Sequence, residues 1–68
     1  MKIFAERFKE LRQEKELSQS KVANLLGVSP SVVCYWETDR SEPTAPNLVK
    51  IADLFGVTVD YLLGRQNY

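Results

Sequence analysis

The stretch Ser18–Glu37, SQSKVANLLGVSPSVVCYWE, decides the fold. Ser18 is a residue that favours the N-cap of a helix. Val22, Ala23 and Leu26 then repeat on one helical face, and Gly27 supplies the left-handed residue with which helices commonly end. Val28 is apolar and tucks inward. Ser29 caps again, and Pro30 stands at the first helical position, where its missing N–H is not needed. The second helix runs from about Pro30 to Thr38, and if it keeps its period only Val33 and Trp36 or Glu37 face inward. One uninterrupted helix would be simpler to specify. Two short helices with a three-residue break imply that the second must lie at a particular angle to the first.

Outward from this centre the pattern stays helical. Upstream, Phe4, Phe8 and Leu11 recur at four- and three-residue steps, which predicts a helix over about 2–15. The charges between them, from Glu6 and Arg7 to Lys15 and Glu16, read as a solvated face with weak i,i+3 and i,i+4 pairs such as Glu6–Lys9 and Arg12–Glu16. Downstream, Asp39–Pro43 (DRSEP) is turn-forming. Thr44 caps a helix over 45–55 with Leu48, Ile51, Ala52 and Phe55 inward, and Gly56 ends it. Thr58 caps a last short helix over 59–63, where Asp60 suits the positive helix end. Gly64 closes it, and 64–68 reads as a frayed tail. No strand alternation occurs. The prediction is an all-α fold, one domain over 1–68 with helices at about 2–15, 19–26, 30–38, 45–55 and 59–63.

Composition limits the function. The chain has 68 residues, 44% hydrophobic and 26% charged, an ordinary globular balance near the lower size limit for one core. Nine Lys and Arg balance nine Asp and Glu. Cys34 stands alone, so no disulfide forms within the chain, and without histidine a zinc site is not expected. No apolar run approaches the roughly 20 residues of a membrane span, and MKIFAERFKE is no signal peptide, so a cytoplasmic protein without a membrane role is expected. The absence of histidine, of a glycine-rich phosphate loop and of a nucleophile–base pair argues against an enzyme, and no cofactor or small-molecule ligand is evident.

Two helices joined by a short turn containing glycine form a helix-turn-helix, in which the second helix projects from the body and fits a DNA major groove. Ser31, Val32, Cys34 and Tyr35 would lie on its outer side. Val32 could touch a thymine methyl, and Ser31 and Tyr35 could hydrogen-bond base edges or phosphates.

Several pieces in combination carry a family resemblance: Leu11–Arg12, LSQ at Leu17–Gln19, LLGVS through Ser29, WE at Trp36–Glu37, Pro43, IADLFGV and DYLLG. From about Phe4 to Gly64 the chain resembles the phage-repressor-like (Cro/CI-type, XRE) helix-turn-helix family. The resemblance implies a five-helix lambda-repressor-like DNA-binding domain and a transcriptional regulator, most often a repressor acting as a homodimer on double-stranded DNA. It places Pro30, Ser31, Val32, Cys34 and Tyr35 at base-facing or groove-facing positions. Gln19 matches a phosphate-holding residue, Thr38 and Arg40 match backbone contacts after the reading helix, and Arg12 and Glu37 match a buried ion pair between the first and third helices. Lys21 and the helix start at Ser29 join Gln19, Thr38 and Arg40 as candidate phosphate contacts.

The chain also departs from that pattern. Pro30 stands where many relatives carry a polar or basic reader, and Asp39 where a small residue or glycine is more usual. The reading face has no Arg, Lys, Asn or Gln, the residues that bind bases bidentately. Between Leu17 and Pro46 the cations are Lys21 and Arg40, against Glu37, Asp39 and Glu42. Few phosphate contacts mean weak binding per protomer, so useful affinity calls for a dimer on a two-fold site. Val57, Val59, Tyr61 and the tail around Tyr68 are the candidate dimer surface, with Val57, Tyr61 and Leu62 equally readable as core. Cys34 reads either as a groove residue or as a small filler at a half-buried position. Zero net charge and an apolar outer face of Val32, Tyr35 and Trp36 would instead suit a protein-interaction module on the same fold, an antitoxin or anti-regulator.

Overall fold

Helix caps set the segmentation of the chain. The computed structural model describes residues 1–67, in which α1 (Lys2–Glu14), α2 (Gln19–Leu26), α3 (Pro30–Glu37), α4 (Ala45–Phe55) and α5 (Val59–Leu62) follow one another. Ser18 Oγ accepts from Lys21 N at 3.0 Å, Ser29 Oγ from Val32 N at 3.3 Å, Thr44 Oγ1 from Asn47 N at 3.3 Å and Thr58 Oγ1 from Tyr61 N at 2.9 Å. Each cap satisfies an amide that the helix leaves without a partner, worth about 1 kcal/mol. Gly27 (φ 73°) and Gly56 (φ 68°) turn α2 and α4 off in the left-handed region, which glycine adopts without strain. Behind each, an apolar residue reaches back into the helix, Val28 N to Ala23 O at 2.9 Å and Val57 N to Ala52 O at 3.0 Å. The helices stop one residue short of the expected 15, 38 and 63, because Lys15, Thr38 and Leu63 serve as C-caps.

Aromatic rings fill the centre. Phe4 and Phe8 stack with centroids 5.4 Å apart, and Trp36 meets both edge-on at 6.5 and 5.8 Å. Phe55 closes on Phe8 at 6.0 Å. Val22, Val33, Ile51 and Leu62 are fully buried around them, so every helix contributes to one core. No helix of this length is stable alone, and the shared core supplies what each one lacks.

The expected frayed tail is corrected over residues 64–67. Arg7 Nη1 donates to the carbonyls of Tyr61 and Gln66, and Nη2 donates to Asn67 Oδ1 at 3.2 Å. The guanidinium also lies 4.3 Å from the Tyr61 ring centroid. Thr58 Oγ1 donates to Gln66 Oε1 at 2.7 Å, and Arg65 N bonds Asp60 O at 2.8 Å. Tyr68 lies outside the described residues. Among them no helix is long and apolar enough to cross a membrane.

Candidate nucleic-acid interface

The break after α2 lets α3 turn across the body, and a charged network fixes where it lies. Arg12, at the end of α1, donates through Nε to Glu37 Oε2 at 2.6 Å and through Nη2 to Glu37 Oε1 at 3.0 Å. Its Nη1 donates to Leu17 O at 2.8 Å, where α2 is about to begin. Gln19 Nε2 adds a third donor to the carboxylate, reaching Glu37 Oε1 at 3.2 Å. The side chains of Arg12 and Glu37 are only 13% and 3% exposed. The hydrogen bond to Glu37 raises the Arg12 pKa further above its ordinary value, more than burial lowers it. This network joins α1, the start of α2 and the end of α3. Arg12 therefore does not serve as a weak surface partner of Glu16.

With Val33 and Trp36 buried, α3 turns Ser31 and Tyr35, one helical turn apart, to solvent, and Tyr35 is 43% exposed. Pro30 and Thr38 are exposed beside them. Val32 and Cys34 do not stand out in the same way. Both are half-buried, and Val32 packs against the core. Trp36 belongs to the core, which corrects the apolar outer face of Val32, Tyr35 and Trp36 to Tyr35 as its exposed member. The reason is that α3 lies along α2 and α1, so positions flanking the inward stripe are shielded too.

Around this face, Lys21, Ser29 and Arg40 are exposed, and neither cation joins an ion pair among the described residues. Pro30 has no amide hydrogen and Ser29 caps Val32, so Ser31 N is the amide left open at the start of α3. Gln19 N and Ser20 N stand likewise at the start of α2, where Ser18 caps Lys21. Gln19 is half-buried, with its Nε2 committed to Glu37. The Thr38 hydroxyl donates to Cys34 O at 2.9 Å, which leaves its oxygen as an acceptor only.

Asp39 adopts φ 60°, which explains why glycine suits this position and why aspartate is tolerated. Its carboxylate does not simply add negative charge to the face. Met1 N lies 2.8 Å from Asp39 Oδ1 and 3.0 Å from Glu42 Oε1. These hydrogen bonds, Asp39 first, raise the pKa of the α-ammonium. No local pattern signals this contact, which joins residues 38 and 41 positions apart. Arg7 was equally hidden among the charges of α1.

A helix-turn-helix family model matches residues 8–62. Among curated proteins, the HTH-type transcriptional regulator AnsR of Bacillus subtilis is 39% identical over 61 residues, covering 90% of this chain and 53% of that protein. The chain thus spans about half the length of the curated relatives it matches. Among solved structures, the P22 c2 repressor protein in complex with synthetic operator 9T superposes with a TM-score of 0.87 at 27% identity, over 93% of this chain and 96% of that one. Hydroxypropylphosphonic acid epoxidase from S. wedmorenis also matches, at a TM-score of 0.81 and 32% identity, but over only 32% of its length. The five-helix arrangement is that of the P22 repressor domain, and the chain belongs to the phage-repressor-like (XRE-type) helix-turn-helix family.

Proposed function

We propose that this chain is a sequence-specific DNA-binding transcriptional regulator, a repressor acting as a homodimer in the cytoplasm, which inserts α3 into the major groove. The observation that carries this is the face itself. Ser31 and Tyr35 point outward between the open amides of α2 and α3, with Lys21 and Arg40 exposed at its edges. The amides of Gln19, Ser20 and Ser31 hold phosphates at helix N-termini, where the helix dipole favours anions. Lys21 and Arg40 add charge, and the Ser29 hydroxyl, whose oxygen accepts from Val32 N, keeps its proton for a phosphate. Ser31 and Tyr35 meet base edges, Pro30 packs on sugar or a methyl group, and Val32 and Cys34 line the base of the contact. Gln19 acts through Glu37, steadying α3. Thr38 accepts from a solvent or sugar hydroxyl rather than donating to a phosphate. The resemblance to an operator-bound repressor supports the reading. The chemistry calls for no metal or cofactor. The matched epoxidase shows that such a domain can also sit within an enzyme, but this chain has no histidine and no nucleophile–base pair to catalyse with.

Selection of bound duplexes from a random pool, followed by anisotropy titration, tests the proposal. Tyr35→Ala weakens the selected duplex more than random DNA, whereas Arg40→Ala weakens both alike. Zero net charge favours a second reading, a protein-interaction module. Failure to bind any duplex at low salt would reject the regulator and leave that reading standing.

A further inference from the structure

We propose that the α-ammonium of Met1 is a positioning group of the DNA face, which holds the Asp39 and Glu42 carboxylates back from the phosphates and from Arg40, and that an acyl group on this nitrogen releases them. The inference rests on the reading of α3 as the groove helix. Among the described helices α1 alone lacks a side-chain cap, and its first turn carries no acid. Such a helix start attracts negative charge from elsewhere. The turn after α3 supplies it, through Asp39 Oδ1 at 2.8 Å and Glu42 Oε1 at 3.0 Å from Met1 N. The ammonium does not sit on a loose end. Met1 O accepts from Ala5 N at 3.1 Å, and Phe4 and Ala5 are buried.

The pairing decides what surrounds Arg40. Arg40 stands between the two acids in sequence, on a turn that folds back on α3 through Arg40 N and Ser41 N, 2.9 and 3.4 Å from Tyr35 O. Among the described residues neither carboxylate pairs with it. An ammonium has three donors, so this one cation occupies both acids at once. Acylation leaves a neutral amide N–H in its place. Asp39 and Glu42 then repel the phosphates and compete with them for the Arg40 guanidinium. Exposed ion pairs add little stability, but phosphate attraction responds to every charge near the backbone. The two carboxylates, Asp39 first, raise the pKa of the ammonium, which keeps it charged at neutral pH.

The 68-residue chain is short enough for total synthesis with a free, an acetylated or a dimethylated α-nitrogen, in the parent and in Asp39→Asn/Glu42→Gln. Anisotropy titration of each against selected and random duplex at about 50 mM salt tests the inference. Acetylation of the parent weakens both duplexes about three- to tenfold, the scale of one phosphate contact, and less at about 200 mM salt. Dimethylation keeps the charge and one N–H, so affinity stays within about twofold of the free amine. In Asp39→Asn/Glu42→Gln, acetylation weakens binding less than about twofold, because no acid is there to release. Acetylation also removes a positive charge that the α1 dipole disfavours, so the fold is retained, which thermal unfolding checks. An equal loss in the parent and in the substituted chain overturns the inference, since the ammonium then acts by its own charge. Equal losses from acetyl and dimethyl groups overturn it as well, since bulk is then the cause, as does a parent that acetylation leaves unweakened. A free-amine parent that binds no duplex at low salt removes the regulator reading, and this inference with it.

Discussion

Replacing Arg12 by methionine removes the guanidinium and keeps most of the side chain's apolar stem. Glu37, with its side chain 3% exposed, is left with Gln19 Nε2 as its remaining side-chain donor, and Leu17 O loses its contact. Stranding one member of a buried pair costs about 3–5 kcal/mol. A domain of this size has about 3–10 kcal/mol in total, at about 0.05–0.15 kcal/mol per residue. Arg12→Met therefore sits near the unfolding threshold at room temperature. Urea titration in the cold, followed by the fluorescence of buried Trp36, measures it. The companion Arg12→Met/Glu37→Met variant removes both charges, and such replacements are neutral or stabilising by about 1–4 kcal/mol. The double variant is accordingly expected to be more stable than the single. A loss below about 1 kcal/mol in Arg12→Met, the range of an exposed ion pair, would refute the reasoning, as would a double variant no more stable than the single.

Gly64→Ala places a Cβ 2.9 Å from Ile3 Cγ2 at φ +82°, and is expected to lower stability by about 1–2 kcal/mol in urea titration. Asp39→Asn keeps a residue tolerant of positive φ but removes an acid beside α3, so DNA binding at low salt tightens. In the same variant the Met1 ammonium loses its leading partner, and its pKa falls back towards the ordinary value in an NMR titration. Arg40→Ala shallows the slope of log affinity against log salt by about 1 on every duplex.

The fold was legible because its punctuation is local. Ser18, Ser29, Thr44 and Thr58 each announce a helix within a three-residue reach, and Gly27 and Gly56 each end one. Periodicity likewise placed Phe4, Phe8, Leu11 and Ile51 in the core. What stayed hidden acts across the chain. A charge on α1 looks the same whether it meets water or, like Arg7, a carbonyl about 60 residues away. Helical period assigned Val32 to the outside and left Cys34 open between groove residue and half-buried filler, because the depth to which α3 sinks between its neighbours is a tertiary quantity that one helix does not encode; both side chains are half-buried. The same holds for Gln19, whose amide is drawn inward by a carboxylate 18 residues on.

The interruption at Gly27 finds its reason in how α3 is held. Apolar contacts such as Val22 and Val33 bring α2 and α3 together, but burial is non-directional and tolerates small rotations. The two-pronged Arg12–Glu37 pair is directional, and it grips the far end of α3 while Leu17 O ties it to the start of α2. Stability and orientation are therefore separable. The Arg12→Met/Glu37→Met variant keeps the core but loses the fork, so α3 is free to rock within its apolar seat. On the proposed reading it still binds random duplex through Lys21, Arg40 and the helix amides, because phosphate attraction tolerates small shifts. Its preference for the selected duplex drops, since base contacts by Ser31 and Tyr35 demand placement to a fraction of an ångström. Titrating the same variant against selected and random duplex separates the two effects. If the preference stays at the parent's value, the pair serves stability alone, and the apolar seat by itself aims the helix.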